Sequence, residues 1–337
     1  MIDIPLPPFP DEFVPGYCGR ITLFNGTRKN QNWQKPNFIQ IEGKSLSKEK
    51  FLKILSNEVG IPYDVIIRQH TLAPALCAFS KSATLKQFGD GPRQFGRRVF
   101  GAVSASRRFC CECTKEDLAF WKVSYWRRIH QLPGVSHCPK HQVPLCVSYD
   151  SDAFNYQPHS QNAFSFEKPQ SSKACTLERR LVEIWQGLLD FGKTIHYRHA
   201  ASVYRDLRFQ FKGNLSITEK LDELGCPRWL KENFGSASVM SNVGGLSEPL
   251  NAEYYVLAFA AMSDDTDRVL NLLTAAPVVK THLAMKAKLG NAVKKAMEAF
   301  GAGLPYSEAM ALAGKLHADD FESEMRKLAL CSARQTH

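Results

Sequence analysis

Apolar residues recur at helical spacing around a short turn in the first third of the chain. A predicted helix over residues 48–58 places four apolar residues on one face: Phe51, Leu52, Leu55 and Val59. Gly60 follows this helix, and a further helical stretch begins at Pro62. The order predicts a helix-turn-helix-like unit, although ordinary helical hairpins have the same pattern.

Helical patterns also lie on both sides of this unit. Residues 11–25 predict a helix with Asp11 and Glu12 in its first turn, where carboxylates suit the helix dipole. Later helical patterns cover residues 177–189, 217–224, 228–234, 251–261, 265–276, 283–300, 307–316 and 320–330. Strand patterns are short, the best at residues 38–41 and 143–147. We therefore predict a mainly α fold.

Composition narrows the class of protein. The chain has 337 residues and 44% hydrophobic residues, which excludes a disordered tail and suggests two domains or three small ones. Its net charge of +10 favours a polyanionic partner, either a nucleic acid or a membrane surface. The first residues lack the pattern of a signal peptide, and residues 254–262, among the longest apolar stretches, are too short to cross a bilayer. We expect a protein of the bacterial cytoplasm.

Ten cysteines are spaced in a way that favours a metal site over a disulfide framework. Cys110 and Cys113 form a C-x2-C pair, and Cys138 and His141 form a C-x2-H pair. Each short spacing lets two side chains of one turn reach the same ion, and zinc accepts three thiolates with one imidazole. Four protein ligands leave no open position, so we predict about one structural Zn²⁺ per chain. Reduced, buried cysteines without metal are the alternative.

Other candidate ligands fit the spacing less well. His130 and His137 lie close enough to compete with His141, but each breaks the x2 pattern. Cys111 is interpreted as a packing residue and Cys146 as a core residue. The remaining cysteines are predicted to be small buried hydrophobic residues: Cys18, Cys77, Cys175, Cys226 and Cys331.

The zinc pattern and the composition predict four segments. Residues 1–106 form a helical N-terminal region with the helix-turn-helix-like unit, and residues 107–148 form a small zinc-knuckle module. Residues 149–172 are rich in Ser, Gln, Asn and Pro, and residues 149–175 form a linker or surface excursion. Residues 176–337 form an all-helical C-terminal domain with further helix-turn-helix-like units.

Basic charge is concentrated beside the zinc pattern. Residues 81–130 hold eleven Lys or Arg and four Asp or Glu, interleaved with aromatic residues, a mixture that suits phosphates and base stacking. The alternative is a solvated face around a core into which the aromatic residues pack. The candidate contacts to a nucleic acid or a partner are Arg93, Arg97, Arg98, Arg107, Arg108, Arg127 and Arg128.

Signatures of an enzyme do not appear. Gly43-Lys44-Ser45 resembles the end of a phosphate-binding loop, but Phe38 stands where the first glycine is required. Three carboxylates, Asp190, Asp264 and Asp265, lack the strand framework of a metal nuclease. We therefore predict no catalytic residues and a protein that is not an enzyme.

Four motifs resemble the TniQ/TnsD family of target-selection proteins of Tn7-like transposons. They are PLPPFPDEF from Pro5, HTLAPAL from His70, RFCCEC from Arg108 and YWRRIHQLPGVSHCPKHQVPL from Tyr125, and the last is the most specific. The resemblance covers about residues 5–147. It departs from the family pattern at Cys111, where a proline is usual, and it has no second pair of knuckles of the kind that some members carry after the first.

The resemblance implies a non-catalytic adaptor. Such proteins mark a target and recruit an AAA+ ATPase regulator of the TnsC type, which in turn recruits the transposase. The family's zinc ligands carry over to Cys110, Cys113, Cys138 and His141.

Two routes to a target occur in this family. Short TniQ proteins of CRISPR-associated transposons join a guide-RNA effector complex of the Cascade type, often as a homodimer. Longer TnsD-like proteins read an attachment sequence in DNA directly. The short chain favours the RNA-guided route, and direct recognition of an attachment site is the alternative.

Overall fold

The computed structural model describes residues 4–25, 48–80, 106–160, 162–168, 174–210, 217–226 and 250–275. Within these ranges the fold is mainly helical, as predicted. The described residues belong to one compact unit that ends at Ala275. The helices predicted at residues 228–234, 283–300, 307–316 and 320–330 and the strand predicted at residues 38–41 lie outside the described residues.

Ten helices can be numbered in the described ranges: α1 Val14–Phe24, α2 Lys48–Val59, α3 Tyr63–His70, α4 Ala73–Leu76, α5 Cys111–Trp121, α6 Thr176–Phe191, α7 Tyr197–Gln210, α8 Ile217–Glu223, α9 Ala252–Met262 and α10 Thr266–Thr274. Short 3-10 turns occur at Ile129–Gln131 and Ala153–Asn155. None of the helices in the described part of the chain is long and apolar enough to span a membrane.

Two small sheets join segments that are distant in the chain. β1 (Phe79–Ser80) pairs in parallel with β4 (Ile195–His196). β2 (Arg107–Phe109) pairs antiparallel with β3 (Cys146–Ser148). The strand expected at residues 143–147 is therefore present but begins later.

Helix α1 begins later than the sequence pattern predicts. Asp11 and Glu12 precede the helix instead of forming its first turn, and Asp11 has a φ of 58°. Pro15 occupies the beginning of the helix, where its fixed φ and missing N–H are compatible with a first turn. The two carboxylates are instead paired with arginines inside the fold, as described below.

The predicted helix, turn and helix are confirmed in α2 and α3. Gly60 joins them with a φ of 69°, in the left-handed region that glycine adopts without strain. Their apolar faces pack with α1 in a core formed by Val14, Tyr17, Cys18, Ile21, Phe51, Leu52, Leu55, Ile66, Ile67 and Ala73. Contact of this unit with DNA stays a prediction.

Helices α6 and α9 form the centre of a second, larger core. Buried residues of α6 recur at helical spacing through Leu177, Leu181, Leu188 and their neighbours. Helix α9 is apolar on nearly all sides and is buried along most of its length, which fits a helix enclosed by others. Phe79 of β1 lies against Tyr255 of α9, so this core reaches the N-terminal region.

The segment predicted as a linker contributes to the same core in its described part. Phe154 and Phe164 are buried, and each lies against Trp126 at ring-centroid distances of 5.0 and 5.7 Å. Helix α1 approaches this segment so closely that a Cβ on Gly19 would lie 2.0 Å from the carbonyl oxygen of Phe154. Residues around Phe154 and Phe164 therefore pack as part of the fold, while the bounds of the four predicted segments stay predictions.

Candidate metal centre

The four predicted ligands come together at one point. The donor atoms of Cys110, Cys113, Cys138 and His141 all lie within 4.8 Å of one another. His141 Nδ1 lies 3.5, 3.4 and 3.6 Å from the sulfurs of the three cysteines in that order. The sulfurs of Cys113 and Cys138 are 3.6 Å apart.

These separations fit a tetrahedral ion. Bonds of about 2.3 Å to sulfur and about 2.0–2.1 Å to nitrogen, at tetrahedral angles, place neighbouring donor atoms roughly 3.5–3.8 Å apart. The three cysteines are buried and His141 is half-buried, so the set is closed to solvent on most sides. The donor set and its spacing can hold one metal ion, and three thiolates with one imidazole are typical of structural zinc.

Two turns present the ligands. Cys110 is the N-cap of α5, and its sulfur accepts a hydrogen bond from the Cys113 N–H, which puts both sulfurs at the beginning of the helix. On the other side, the Gln142 N–H donates to the Cys138 carbonyl and the Cys138 N–H donates to the Val143 carbonyl. Gln142 has a φ of 55° and closes this second turn, which returns His141 towards the cysteines.

A carboxylate orients the histidine. Glu116, one turn further along α5 than Cys113, lies 3.0 Å through its Oε1 from His141 Nε2, and it also pairs with Lys140. Holding Nε2–H in this way leaves Nδ1 free to bind a metal, an arrangement common around zinc. The Lys140 ammonium and then the His141 imidazole lower the pKa of Glu116 to about 2, which keeps it an acceptor.

The sulfur cluster also favours one deprotonated ligand. Hydrogen bonds from the Cys110 and Cys113 thiols lower the pKa of Cys138 to about 2. A thiolate is the form that binds metal, so the arrangement of the three sulfurs favours ligation.

The competing candidates lie elsewhere. His137 Nδ1 contacts the Ser136 hydroxyl and lies 3.9 Å from the Glu178 carboxylate. His130 is buried, and burial lowers its pKa to about 4. Within the described residues, neither belongs to a group of three or more possible ligands.

Comparison with known proteins identifies this part of the chain. The family model TniQ matches residues 4–145. The chain contains a TniQ domain. No curated protein matches the chain. A TniQ domain implies a role in target selection during Tn7-like transposition, and hence involvement with the transposition machinery and DNA.

Among the predicted arginines that the structure describes, most bond to other residues inside the fold. Arg108 is buried and donates to the carbonyls of Leu132 and Val135. Arg127 makes a bidentate contact with Asp117 at 2.7 and 2.8 Å.

Arg128 also contacts residues of the fold. It is buried, pairs with Asp11 and donates to the Arg68 carbonyl. Arg107 is half-buried and lies 5.7 Å from the Phe154 ring. Arg93, Arg97 and Arg98 lie outside the described residues. Arg108 and Arg128 are therefore buried among contacts of the fold, and contact of either residue with a nucleic acid or a partner stays a prediction.

Some aromatic residues of this region are buried and others are exposed. Phe109, Tyr125 and Trp126 are buried, in agreement with the alternative that they pack inside the fold. Phe120 and Trp121 at the end of α5 are 74% and 44% exposed.

The sequence motifs of the TniQ domain meet one another in space, which sequence reasoning did not predict. The Phe13 N–H donates to the Trp126 carbonyl at 2.7 Å, so the first motif is hydrogen-bonded to the last. The Glu12 carbonyl accepts from His70 Nδ1 at 3.0 Å, which brings in the HTLAPAL motif. Gly16 allows α1 to lie close to Trp126, because a Cβ at this position would lie 2.6 Å from the Trp126 ring. The motifs therefore form a scaffold around the metal-binding module.

A buried ion pair completes this scaffold. The Arg20 guanidinium donates to both oxygens of the Glu12 carboxylate at 2.9 and 2.7 Å, and both side chains are buried. The Glu12 carboxylate also accepts from the Phe9 N–H, and Arg20 stacks over the Phe9 ring at 4.3 Å. The sequence offers one signal for the pair of Glu12 and Arg20. Acidic residues lie near the proline-rich start, and an arginine follows about two helical turns later.

Proposed function

We propose that this protein is a non-catalytic target-selection adaptor of a Tn7-like transposon. It links a target-bound complex, of the guide-RNA and Cascade type, to an AAA+ transposition regulator and through it to the transposase. The supporting observation is the TniQ domain over residues 4–145, organised around a closed Cys3His cluster. In this proposal the cluster holds a structural zinc ion that fixes the domain and takes no part in chemistry.

The internal use of the arginines favours an adaptor over a domain that grips DNA by itself. Phosphate binding needs cationic donors that reach the surface. Arg108, Arg127 and Arg128 are bonded to partners within the fold. These three arginines therefore support the architecture of the domain, and in this proposal target choice rests with a partner complex.

The proposal is tested by copurification. The tagged full chain is coexpressed with the AAA+ ATPase, the effector proteins and the guide RNA encoded near its gene. We expect the ATPase and the guide-RNA complex to be retained by the chain. A folded chain that retains neither would contradict the adaptor role, and metal-dependent DNA cleavage by the isolated chain would contradict the non-catalytic role.

Direct recognition of an attachment site is the second candidate. The observation that favours it is the helix-turn-helix-like unit, whose second helix α3 exposes Arg68 and Gln69 next to each other. Arg68 pairs with Asp64 on the same helix, so that pair must open for a base or phosphate contact. A footprint of the isolated protein on one defined DNA sequence, weakening steeply with salt, would favour this candidate over the adaptor.

A further inference from the structure

Two cysteines beside the metal centre lie in contact with each other. Cys111 Sγ and Cys146 Sγ are 2.7 Å apart, and neither belongs to the four clustered ligands. Cys111 is the first residue of α5 and Cys146 is the first residue of β3. The β2–β3 pairing places Phe109 opposite Cys146, and Cys111 follows Phe109 by two residues, which brings the two thiols near each other.

The separation of the sulfurs is close to that of a bond. A disulfide has a sulfur–sulfur distance of about 2.03–2.05 Å. The two thiols therefore need to approach by well under 1 Å, a change that side-chain rotation can supply. The ladder between β2 and β3 fixes the backbone of Cys146, and Cys111 starts the helix two residues after the end of β2.

We propose that Cys111 and Cys146 form a redox-active thiol pair, distinct from the metal ligands, which a low-molecular-weight disulfide oxidises to an intramolecular disulfide. The two thiols differ in access. Cys111 is half-buried and reachable from solvent, whereas Cys146 is 2% exposed. Cys111 is therefore the attacking thiol and Cys146 the resolving thiol.

The chemistry balances in two exchange steps. The Cys111 thiolate attacks one sulfur of the oxidant, whose sulfur–sulfur bond breaks, and half of the oxidant leaves as a thiolate. The Cys146 thiolate then attacks the Cys111 sulfur, and the second half leaves in the same way. Two protein thiols are oxidised, one disulfide is reduced to two thiols, and the two protons from the protein pass to the released thiols.

The proposed disulfide would form a second link across the metal-binding module. It joins the beginning of α5, next to Cys110 and Cys113, to the strand that follows Cys138 and His141. A metal ion held by the four clustered side chains would make the same connection. We therefore expect the oxidised protein to keep the two parts of the module together when zinc is removed.

The experiment uses the full, zinc-loaded chain with oxidised glutathione as the probe. Free thiols are blocked after incubation, the products are mapped by peptide mass spectrometry, and released zinc is measured in the same sample. We expect the loss of two hydrogen atoms, a single Cys111–Cys146 crosslink and retained zinc. The oxidised chain should also unfold several-fold more slowly than the reduced chain when a chelator is added.

Two variants separate this pair from general thiol reactivity. Cys146→Ser should stop at a glutathione adduct on Cys111, because the resolving thiol is missing. Cys77→Ser, which removes another half-buried thiol, should form the crosslink as the unmodified chain does. The mapping of the unmodified chain needs no variant, so a folding defect in Cys146→Ser does not weaken the test.

Two results would overturn the proposal. One is a crosslink among Cys110, Cys113 and Cys138 with release of zinc, which would assign the reactivity to the metal ligands. The other is a fully reduced Cys111–Cys146 pair under conditions that oxidise a small dithiol.

Discussion

The region that carries the TniQ motifs and the helices after residue 176 share one apolar core but differ in the ion pairs that add to it. In the first region, buried or partly buried ion pairs join distant segments: Arg20 with Glu12, Arg127 with Asp117 and Arg128 with Asp11. In the second, α6 and α9 pack through apolar faces, and the ion pair between Lys220 and Glu223 on α8 is partly exposed.

This difference explains why recognisable motifs end near residue 145. A buried ion pair or a metal ligand requires particular atoms at particular positions, because a lone buried charge is costly. An apolar core tolerates exchange among hydrophobic residues of similar volume. A helix such as α9 therefore requires a pattern and not a motif, which is why the second region shows only generic helices in the sequence.

The largest effect is expected from loss of a metal ligand. Cys113→Ser or His141→Ala should abolish soluble folded protein and zinc binding, because the free energy of binding a structural zinc is folding free energy, about 10–16 kcal/mol in small zinc domains. Soluble yield, circular dichroism and metal analysis measure this. The half-buried Cys77 provides a control, and Cys77→Ser should keep fold and metal. If the ligand variants kept the same fold and metal content as the control, the metal would not be what stabilises the first region.

The second-largest effect is expected from breaking the buried ion pair between Arg20 and Glu12. Arg20→Met keeps much of the side-chain volume but leaves the Glu12 carboxylate buried and unpaired, which should cost about 3–5 kcal/mol of unfolding free energy. Denaturant unfolding measures the loss. Arg179→Met on the exposed face of α6 is the matched control and should stay within about 0.5 kcal/mol. If Arg20→Met lowered the free energy of unfolding no more than the control, the buried ion pairs would not be what stabilises the first region.

Truncating a core leucine tests the apolar packing of the second region. Leu188→Ala on α6 should cost about 2–5 kcal/mol, because it leaves a cavity in the apolar core. Unfolding curves measure this, and zinc content of the folded fraction should stay the same. Leu272→Ala on α10, a leucine that is 36% exposed, should change stability by less than about 1 kcal/mol. Zinc loss in folded Leu188→Ala would show that the two regions are not stabilised separately.

The smallest expected effect concerns the orientation of His141. Glu116→Gln removes the carboxylate that holds His141 Nε2 and should weaken zinc affinity by roughly 10–100-fold without unfolding the domain. Competition with a chromophoric chelator measures the affinity. Glu112→Gln changes a carboxylate on the same helix that pairs with Lys115 instead, so it should leave the affinity nearly unchanged. Equal affinities for the two variants would contradict the orienting role of Glu116.

Helices and metal ligands were predictable from sequence for local reasons. The spacing of apolar residues located α2, α6, α9 and α10, and the two x2 pairs located the metal ligands, because both signals lie within a few residues. The beginning of α1 was predicted wrongly, since Asp11 and Glu12 bond to Arg128 and Arg20 rather than to helix N–H groups.

Contacts between distant segments were not predictable in this way. Arginines near Cys110 look like a phosphate-binding surface in the sequence, but both Arg108 and Arg128 are buried. Arg108 donates to the carbonyls of Leu132 and Val135, and Arg128 contacts Asp11 and the Arg68 carbonyl. The contact between Cys111 and Cys146 likewise depends on the pairing of β2 with β3. Only the tertiary structure brings these groups together.

X-ray absorption spectroscopy of the purified full chain tests the central claim, that a structural metal centre organises the TniQ domain. We predict one zinc ion per chain, with three sulfur ligands at about 2.3 Å and one nitrogen ligand at about 2.0–2.1 Å. Soluble, folded chain that contains no zinc, or a zinc ion with a different ligand set, would contradict the account.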